Sequence, residues 1–185
     1  MTIDRRSLLA AIPAVALAGE AFAQAKTDPD NTMLITLKDG VVTVRLRPDL
    51  APKHVEQIKT LVRQKFYDGI VFHRVIAGFM AQTGDPRGNG TGGSSLPNIP
   101  AEFTKTPFVR GTLGMARSSS PDSANSQFFI CFDDASFLNG QYTVFGEVVK
   151  GMDLVDKIKK GDRNNNGAVT NPDKMIKVRL GSDPA

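Results

Sequence analysis

The 185-residue chain is poor in residues that build metal centres and disulfides: it has one cysteine, two histidines and no tryptophan. A lone cysteine cannot form an internal disulfide, and Cys131 lies within the apolar run 128–132, which is typical of a buried side chain. So few ligands argue against a zinc site, and we expect no metal and no cofactor. The Gly-x-Ser-x-Gly turn of many hydrolases is missing, and neither histidine has an evident carboxylate partner, which argues against a hydrolase.

The chain also lacks a strong excess of one charge. Its 23 lysines and arginines against 19 acidic residues give a net charge of +4 at pH 7, spread along the sequence. Nucleic-acid-binding proteins concentrate basic residues in a patch, so this distribution indicates a solvated surface and no nucleic-acid partner. The composition, 41% hydrophobic and 23% charged, is ordinary for one folded domain.

The apolar run at the N-terminus is short. Asp4-Arg5-Arg6-Ser7 precedes a run from Leu8 to Ala18, and Ala21-Phe22-Ala23 is a small-x-small cleavage site. The run falls far below the ~20 residues that span a bilayer, so it predicts a cleaved export signal over residues 1–23 rather than a membrane anchor. The paired arginines favour the twin-arginine route, which implies a periplasmic protein with no stable membrane insertion after cleavage.

A polar leader over residues 24–32 precedes the predicted domain, which extends over residues 33–181. The domain opens with two strand-like runs, 33–37 and 41–46, which flank Asp39-Gly40 and predict a β-hairpin. An amphipathic helix follows, with Pro52 in its first turn and its end before Asp68. Its apolar face, which we expect to cover a sheet, consists of Val55, Ile58, Val62 and Phe66.

Strand-like runs then recur along the rest of the chain. They cover residues 69–75, 79–83, 111–116, 127–132, 144–149 and 175–180. A second short helix is indicated by Met152, Val155 and Ile158. Many strands joined mostly by turns, with two helices, predict a mainly β domain with one closed or nearly closed antiparallel barrel.

The segment 84–108 breaks this spacing with five glycines and four prolines. Loops of this length in a compact domain are usually functional or disordered. Glycines permit close approach of another backbone, so the segment is either one wall of a peptide groove or a loose surface loop.

The most informative motif lies at 72–85, where one arginine and one glutamine stand among Phe and Met on two strand-like runs. Such a site can hold an apolar ring and present donors to a neutral group. It contains no thiol and no cluster of acids, so it indicates catalysis without acid, base or nucleophile.

Five motifs together resemble the cyclophilin family of peptidyl-prolyl cis-trans isomerases, and most of all its exported bacterial members, over residues 33–180. They are Phe72-His73-Arg74, Gly78-Phe79-Met80-Ala81-Gln82, Gly88-Asn89-Gly90-Thr91-Gly92-Gly93, Ser126-Gln127-Phe128-Phe129-Ile130 and Val144-Phe145-Gly146. The resemblance implies a closed eight-stranded antiparallel β-barrel capped by two α-helices, with the active groove on its outer face. It also implies a monomer whose partners are proline-containing peptides and unfolded protein clients.

The resemblance assigns the catalytic role to Arg74 and a polar neighbour's role to Gln82. The family's proline pocket corresponds to Phe79, Met80, Phe129 and Leu138. Its peptide contacts correspond to Ala116, Arg117 and Gln127. Phe137 and Tyr142 stand where many eukaryotic members have Trp and His, so the hydrophobic wall persists without an indole N–H donor. Arg117 replaces a more usual Asn.

The two histidines, one loop and one rival function are considered beside this assignment. His73 is interpreted as a packed side chain and His54 as a solvent-facing one. The loop 162–173 matches the spacing of a calcium-binding EF-hand at several positions, although Pro172 and a following strand-like run favour an Asn/Gly-rich turn. The rival function is a module that binds proline segments without isomerising them, but the presence of Arg74 favours the enzyme.

Overall fold

One antiparallel sheet of eight strands dominates the computed structural model, which describes residues 28–184. The strands are β1 (Thr32–Leu37), β2 (Gly40–Leu46), β3 (Arg74–Ile76), β4 (Met80–Thr83), β5 (Thr112–Met115), β6 (Phe128–Cys131), β7 (Val144–Lys150) and β8 (Lys177–Leu180). The α-helices in these residues are α1 (Pro52–Arg63) and α2 (Met152–Asp156). The predicted export signal, residues 1–23, and residues 24–27 of the predicted leader lie outside the described residues.

The strands follow the order β3-β4-β6-β5-β7-β2-β1-β8, and the sheet curls into an open half-barrel. The predicted closure is therefore not confirmed. The predicted strand 69–75 is also too long, since β3 begins at Arg74. Upstream of β3, Val71 forms an isolated bridge with Lys174, and Phe72 N–H donates to Asp173 O at 2.9 Å. These bonds join loops rather than a continuous strand pair, so β3 and β8 remain the two edges.

The predicted opening hairpin is confirmed. β1 and β2 pair from Thr32 with Arg45 to Leu37 with Gly40, so Lys38 and Asp39 form the turn. Alternate side chains of both strands are buried, because successive residues of a strand face opposite sides of the sheet. The buried set is Met33, Ile35, Leu37, Val42, Val44 and Leu46.

Helix α1 covers one face of the sheet as predicted, with Val55, Ile58 and Val62 in the main hydrophobic core. It ends at Arg63, earlier than its apolar pattern suggests, because Lys65 takes a left-handed conformation with φ of 57°.

His54 was expected to face solvent, and this expectation is wrong. The side chain is fully buried, because the carboxylate of Glu102 reaches α1 from the long loop and accepts a hydrogen bond from His54. A pair 48 residues apart in the chain escapes local sequence patterns.

A second, smaller apolar cluster lies apart from the main core. It is built from Met80, Phe108, Phe129, Cys131, Ala135, Leu138 and Val144. Cys131 is buried as predicted, and burial raises the pKa of its thiol to about 12. This cluster forms the floor of the site described next. No helix within residues 28–184 is both long and apolar enough to cross a membrane.

Candidate active site

A cavity of about 410 Å³ opens above the smaller apolar cluster. It is lined by Arg74, Phe79, Met80, Gln82, Ala116, Arg117, Phe129, Phe137, Leu138, Gln141 and Tyr142. Ten of the eleven residues predicted for the site therefore lie around one cavity. The eleventh, Gln127, lines the neighbouring cavity instead, and Gln141 was not predicted.

Strand register places the key side chains in one row. Arg74 on β3 pairs with Gln82 on β4, and Gln82 pairs with Phe129 on β6. Residues opposite each other in an antiparallel sheet share a face. The cation, the amide and the aromatic ring therefore stand side by side on the outer face of the sheet.

The row continues to Gly114 on β5, which pairs with Phe129. A Cβ atom at Gly114 would lie 2.4 Å from Phe129 Cζ and 2.5 Å from Phe108 Cε1. The missing side chain leaves room for these two rings, which stack with their centroids 5.7 Å apart. A glycine is therefore needed at this position for the pocket floor to form.

Aromatic side chains build the cavity walls. Tyr142 packs edge-on against Phe129 at a centroid distance of 5.9 Å, and Phe79 contacts Phe137 at 5.2 Å. Phe137 is 63% exposed and forms the outer rim. An apolar ring that enters the cavity would contact aromatic side chains on several sides.

Arg74 supplies the cation at the edge of this pocket. Its Nη1–H group donates to Gln82 Oε1 at 3.2 Å, and its Nε–H and Nη2–H groups donate to Asn166. Burial lowers the pKa of the half-buried guanidinium below its usual range. No carboxylate in residues 28–184 forms a salt bridge with Arg74, so its charge is left for a ligand.

A chain of amides leads from Arg74 to the long loop. Gln82 Nε2 donates to Gln127 Oε1 at 2.9 Å, and Gln127 Nε2 donates to the carbonyl oxygens of Gly90 and Gly92 at 3.0 and 2.8 Å. This part of the loop thus forms one wall of a second cavity of about 380 Å³ beside the first. Of the two alternatives for residues 84–108, the structure supports the groove wall.

Asp85 holds the loop in this place. Its carboxylate, in a residue that is 1% exposed, accepts hydrogen bonds from the N–H groups of Arg87, Asn89 and Gly90 at 2.6 to 3.1 Å. Burial acts to raise the pKa of Asp85, but these hydrogen bonds outweigh it and lower the pKa. A fixed carboxylate therefore orders the glycine-rich segment.

Arg117 links the two loops that border the cavity. Its Nε–H and Nη2–H groups donate to Gln141 O at 3.2 and 3.0 Å, and Nη1–H donates to Ser118 O at 2.9 Å. The guanidinium carbon lies 4.4 Å from the centre of the Tyr142 ring. The Arg117 side chain therefore joins the loops at the rim of the cavity and packs on the Tyr142 ring.

The remaining candidates have structural environments. His73 is buried as predicted, neither ring nitrogen has a hydrogen-bond partner among the described residues, and burial lowers its pKa. In the loop 162–173, Asp162 caps Asn164 N–H, whereas Asp173 accepts from Lys159 N–H and pairs with Lys38. Asp162 and Asp173 therefore bind different groups and do not converge on one point. Of the two alternatives for this loop, the structure supports the Asn/Gly-rich turn. Residues 28–184 contain no group of three His, Cys, Asp or Glu that could hold a metal ion.

The residues around the 410 Å³ cavity include no carboxylate, histidine or thiol. The site can grip an apolar ring and offer it hydrogen-bond donors, whereas its described wall holds no carboxylate, imidazole or thiol that could transfer a proton or attack a substrate. Fold and site thus define an antiparallel half-barrel protein whose outer face carries an apolar cavity with a cation at its edge.

Comparison with known proteins specifies this class. The family model "Cyclophilin type peptidyl-prolyl cis-trans isomerase/CLD" matches residues 32–180. The chain therefore belongs to the cyclophilin-type peptidyl-prolyl cis-trans isomerases and is an enzyme of this type. It is 62% identical, over 96% of its length and 97% of the relative's, to a probable peptidyl-prolyl cis-trans isomerase of Brucella suis. It is 42% identical, over 79% and 85%, to a peptidyl-prolyl cis-trans isomerase of Helicobacter pylori.

Solved structures agree with this assignment. Cyclophilin AquaCyp293 from Hirschia baltica matches 86% of this chain and 77% of its own, with a TM-score of 0.77 and 28% identity. A cyclophilin-type isomerase of Cryptosporidium parvum, determined in the presence of the dipeptide Ala-Pro, matches 82% of this chain and 99% of its own, with a TM-score of 0.74 and 27% identity.

The residues at or beside the candidate site that sequence reasoning missed are Asp85, Gln141 and Asn166. Asn166 precedes Gly167, and Asn-Gly pairs indicate left-handed turns. That pattern predicts the turn, but it does not predict the contact with Arg74.

Proposed function

We propose that this isomerase rotates Xaa-Pro bonds of exported proteins in the periplasm, and that Arg74 is its catalytic residue. The observation that carries the proposal is the position of the Arg74 guanidinium at the edge of an apolar cavity, with no carboxylate salt bridge in the described residues. The Ala-Pro dipeptide named for the Cryptosporidium relative supports a proline-containing peptide as ligand.

The chemistry to be catalysed is rotation rather than bond cleavage. A peptide bond resists rotation by ~18–20 kcal/mol, because nitrogen donates its lone pair into the carbonyl group. In the twisted transition state the prolyl nitrogen regains a localised lone pair and can accept a hydrogen bond. A donor placed there stabilises the transition state and leaves the planar ground state unaffected. Arg74 suits this role because its guanidinium is planar and permanently charged.

One hydrogen bond supplies only part of the required effect. Each ~1.4 kcal/mol removed from the barrier gives a factor of ten, whereas a charged hydrogen bond nets about 1.5–3 kcal/mol. The remainder comes from orientation of the bound peptide. In this proposal the proline ring is held by Phe79, Met80, Phe129 and Leu138. The flanking chain is held by Gln82, Gln127 and the backbone of Ala116 and Arg117, with Phe137 and Tyr142 at the rim.

The cellular part of the proposal rests on the N-terminal sequence. Arg5-Arg6, the short apolar run and the Ala-Phe-Ala site support export by the twin-arginine route, followed by action as a monomer on unfolded clients. Cell fractionation tests it. An Arg5→Lys, Arg6→Lys double variant should accumulate with its N-terminus uncleaved, while the parent appears in the periplasm; a periplasmic, cleaved double variant contradicts the twin-arginine route.

The catalytic part is tested by isomerisation of a short Xaa-Pro peptide at low temperature, where the uncatalysed reaction takes minutes. The parent, Arg74→Ala and the control Arg63→Ala, which changes an exposed arginine on α1, are compared. We expect a loss of kcat/KM of roughly 10- to 150-fold in Arg74→Ala, the range that a charged hydrogen bond supplies, and less than about a twofold change in the control. Activity that survives in Arg74→Ala removes Arg74 from the mechanism, and an inactive folded parent identifies a binding module.

A further inference from the structure

Arg74 is held from two sides by amide side chains. Gln82 accepts a hydrogen bond from Nη1. On the opposite edge of the guanidinium, Asn166 Oδ1 accepts from Nη2–H at 3.0 Å and from Nε–H at 3.3 Å, and Asn166 O accepts from Nε–H at 3.1 Å.

A count of donors shows what this arrangement leaves for a ligand. A guanidinium carries five N–H donors in a fixed plane. The Nε–H group and one hydrogen on Nη2 are directed to Asn166, and one hydrogen on Nη1 is directed to Gln82. One hydrogen on each Nη atom remains. The bonds to Asn166 and Gln82 thus set the plane of the fork and determine where its two free donors point.

Asn166 lies on the other side of Arg74 from the cavity in which the proline ring is proposed to bind. It does not line the 410 Å³ cavity. It lines a third cavity of about 620 Å³, which it shares with Arg74, Gln82 and His73. Asn166 can therefore orient Arg74 without occupying space that the proline ring needs.

The loop that carries Asn166 is fastened to β3 next to Arg74. Val75 N–H donates to Gly167 O at 2.8 Å, and Val169 N–H donates to His73 O at 3.1 Å. Asn166 itself has a φ of 49°, a left-handed conformation that Asn adopts more readily than most residues. These backbone hydrogen bonds hold the loop against β3, so the Asn166 amide has a fixed position relative to Arg74.

We propose that Asn166 is a positioning residue for isomerisation and acts through Arg74. This inference rests on the catalytic role of Arg74 proposed above. A long arginine side chain loses considerable rotamer freedom when it is fixed. Asn166 fixes it before the substrate arrives, so the transition state gains its hydrogen bond without that ordering cost. The loop 162–173, whose spacing resembles a calcium-binding loop, thus contributes Asn166 to the proposed active site, and this role requires no metal ion.

The test uses Asn166→Gly, which keeps the left-handed backbone and the main-chain carbonyl but removes Oδ1. Its matched control is Asn171→Gly, since Asn171 is also exposed and left-handed, with φ of 51°, but lines none of the three cavities. We expect kcat for an Xaa-Pro peptide to fall five- to tenfold in Asn166→Gly with KM within twofold. The control should keep both constants within twofold.

A double variant separates positioning from a structural or substrate-binding role. Adding Asn166→Gly to Arg74→Ala should cause no further loss of kcat, because the residue that Asn166 orients is gone.

Several results would overturn the inference: unchanged kcat in Asn166→Gly, a rise in KM alone, or an additional loss in the double variant. If Arg74→Ala is inactive while Asn166→Gly is fully active, only this inference fails. If Arg74→Ala keeps its activity, the proposed catalytic role fails and the inference fails with it.

Discussion

His54 Nδ1 lies 2.6 Å from Glu102 Oε2, and the same carboxylate accepts the N–H groups of Lys53 and His54 at 3.2 and 3.1 Å. Because a carboxylate only accepts, the neutral imidazole must carry its proton on Nδ1. Helix α1 has no side-chain cap of its own at Ala51, so Glu102 caps it from 48 residues away.

Replacing Glu102 by Gln should destabilise the fold by about 1–3 kcal/mol, since the change removes a charged acceptor shared by three buried or terminal N–H groups. Denaturant unfolding at pH 7.5 measures the effect. Glu56→Gln, on the exposed face of the same helix, serves as the control and should change stability by less than about 0.5 kcal/mol. Equal effects in the two variants would show that the cap contributes nothing.

Stability should decrease as the pH falls below about 6.5. Burial lowers the pKa values of both His54 and His73 below their ordinary value of 6.5, so the unfolded chain binds more protons than the folded one in this range. Burial acts to raise the pKa of Glu102, but hydrogen bonds from His54 and from the helix N–H groups lower it below 4.5. Its contribution is present above pH 4.5 and is lost at lower pH.

Thermal unfolding between pH 7.5 and 4 measures this dependence. A His54→Gln variant should show a shallower decrease between pH 6.5 and 5 than the parent, since one of the two buried histidines is gone. If stability changes with pH equally steeply in the variant and the parent, His54 takes up no proton when the protein unfolds.

Gly114→Ala should damage the pocket floor. The added Cβ meets the rings of Phe108 and Phe129 at less than 3 Å, so one ring must shift. Overpacking of this kind costs about 1–3 kcal/mol. We expect that loss in denaturant unfolding together with a clear rise in KM for an Xaa-Pro peptide. A variant with parental KM would show that the position of Phe129 is not critical for substrate binding.

Arg117→Met removes the bonds to Gln141 and Ser118 but keeps much of the side-chain length. The loops around the cavity then lose a connection, and Tyr142 loses the cation above its ring. We expect KM to rise about three- to tenfold, with kcat within twofold, and a stability change below about 1 kcal/mol because the bonds are exposed. A fall in kcat at constant KM would contradict a role limited to the pocket rim.

Much of the fold was predictable because its patterns are local. The alternation in residues 33–46 and the Asp39-Gly40 turn predicted the first hairpin, and the spacing of Val55, Ile58 and Val62 predicted α1. The remaining strand predictions differ from the structure by a few residues at their ends. The largest difference is at β3, which has only three residues, Arg74–Ile76. The resemblance of five motifs to a known family selected eleven residues, ten of which line one cavity.

What the sequence by itself determined is thus the order of elements and their apolar faces, since hydrophobic periodicity and turn chemistry act over a few residues. The candidate pocket residues came from the resemblance to a family. Only the tertiary structure decided that the sheet stays open, that His54 is buried against Glu102, and that Asn166 holds Arg74 from 92 residues away. The last two features depend on contacts of a loop with a helix or a strand that is distant in the chain, and such contacts follow no period that a linear pattern could carry.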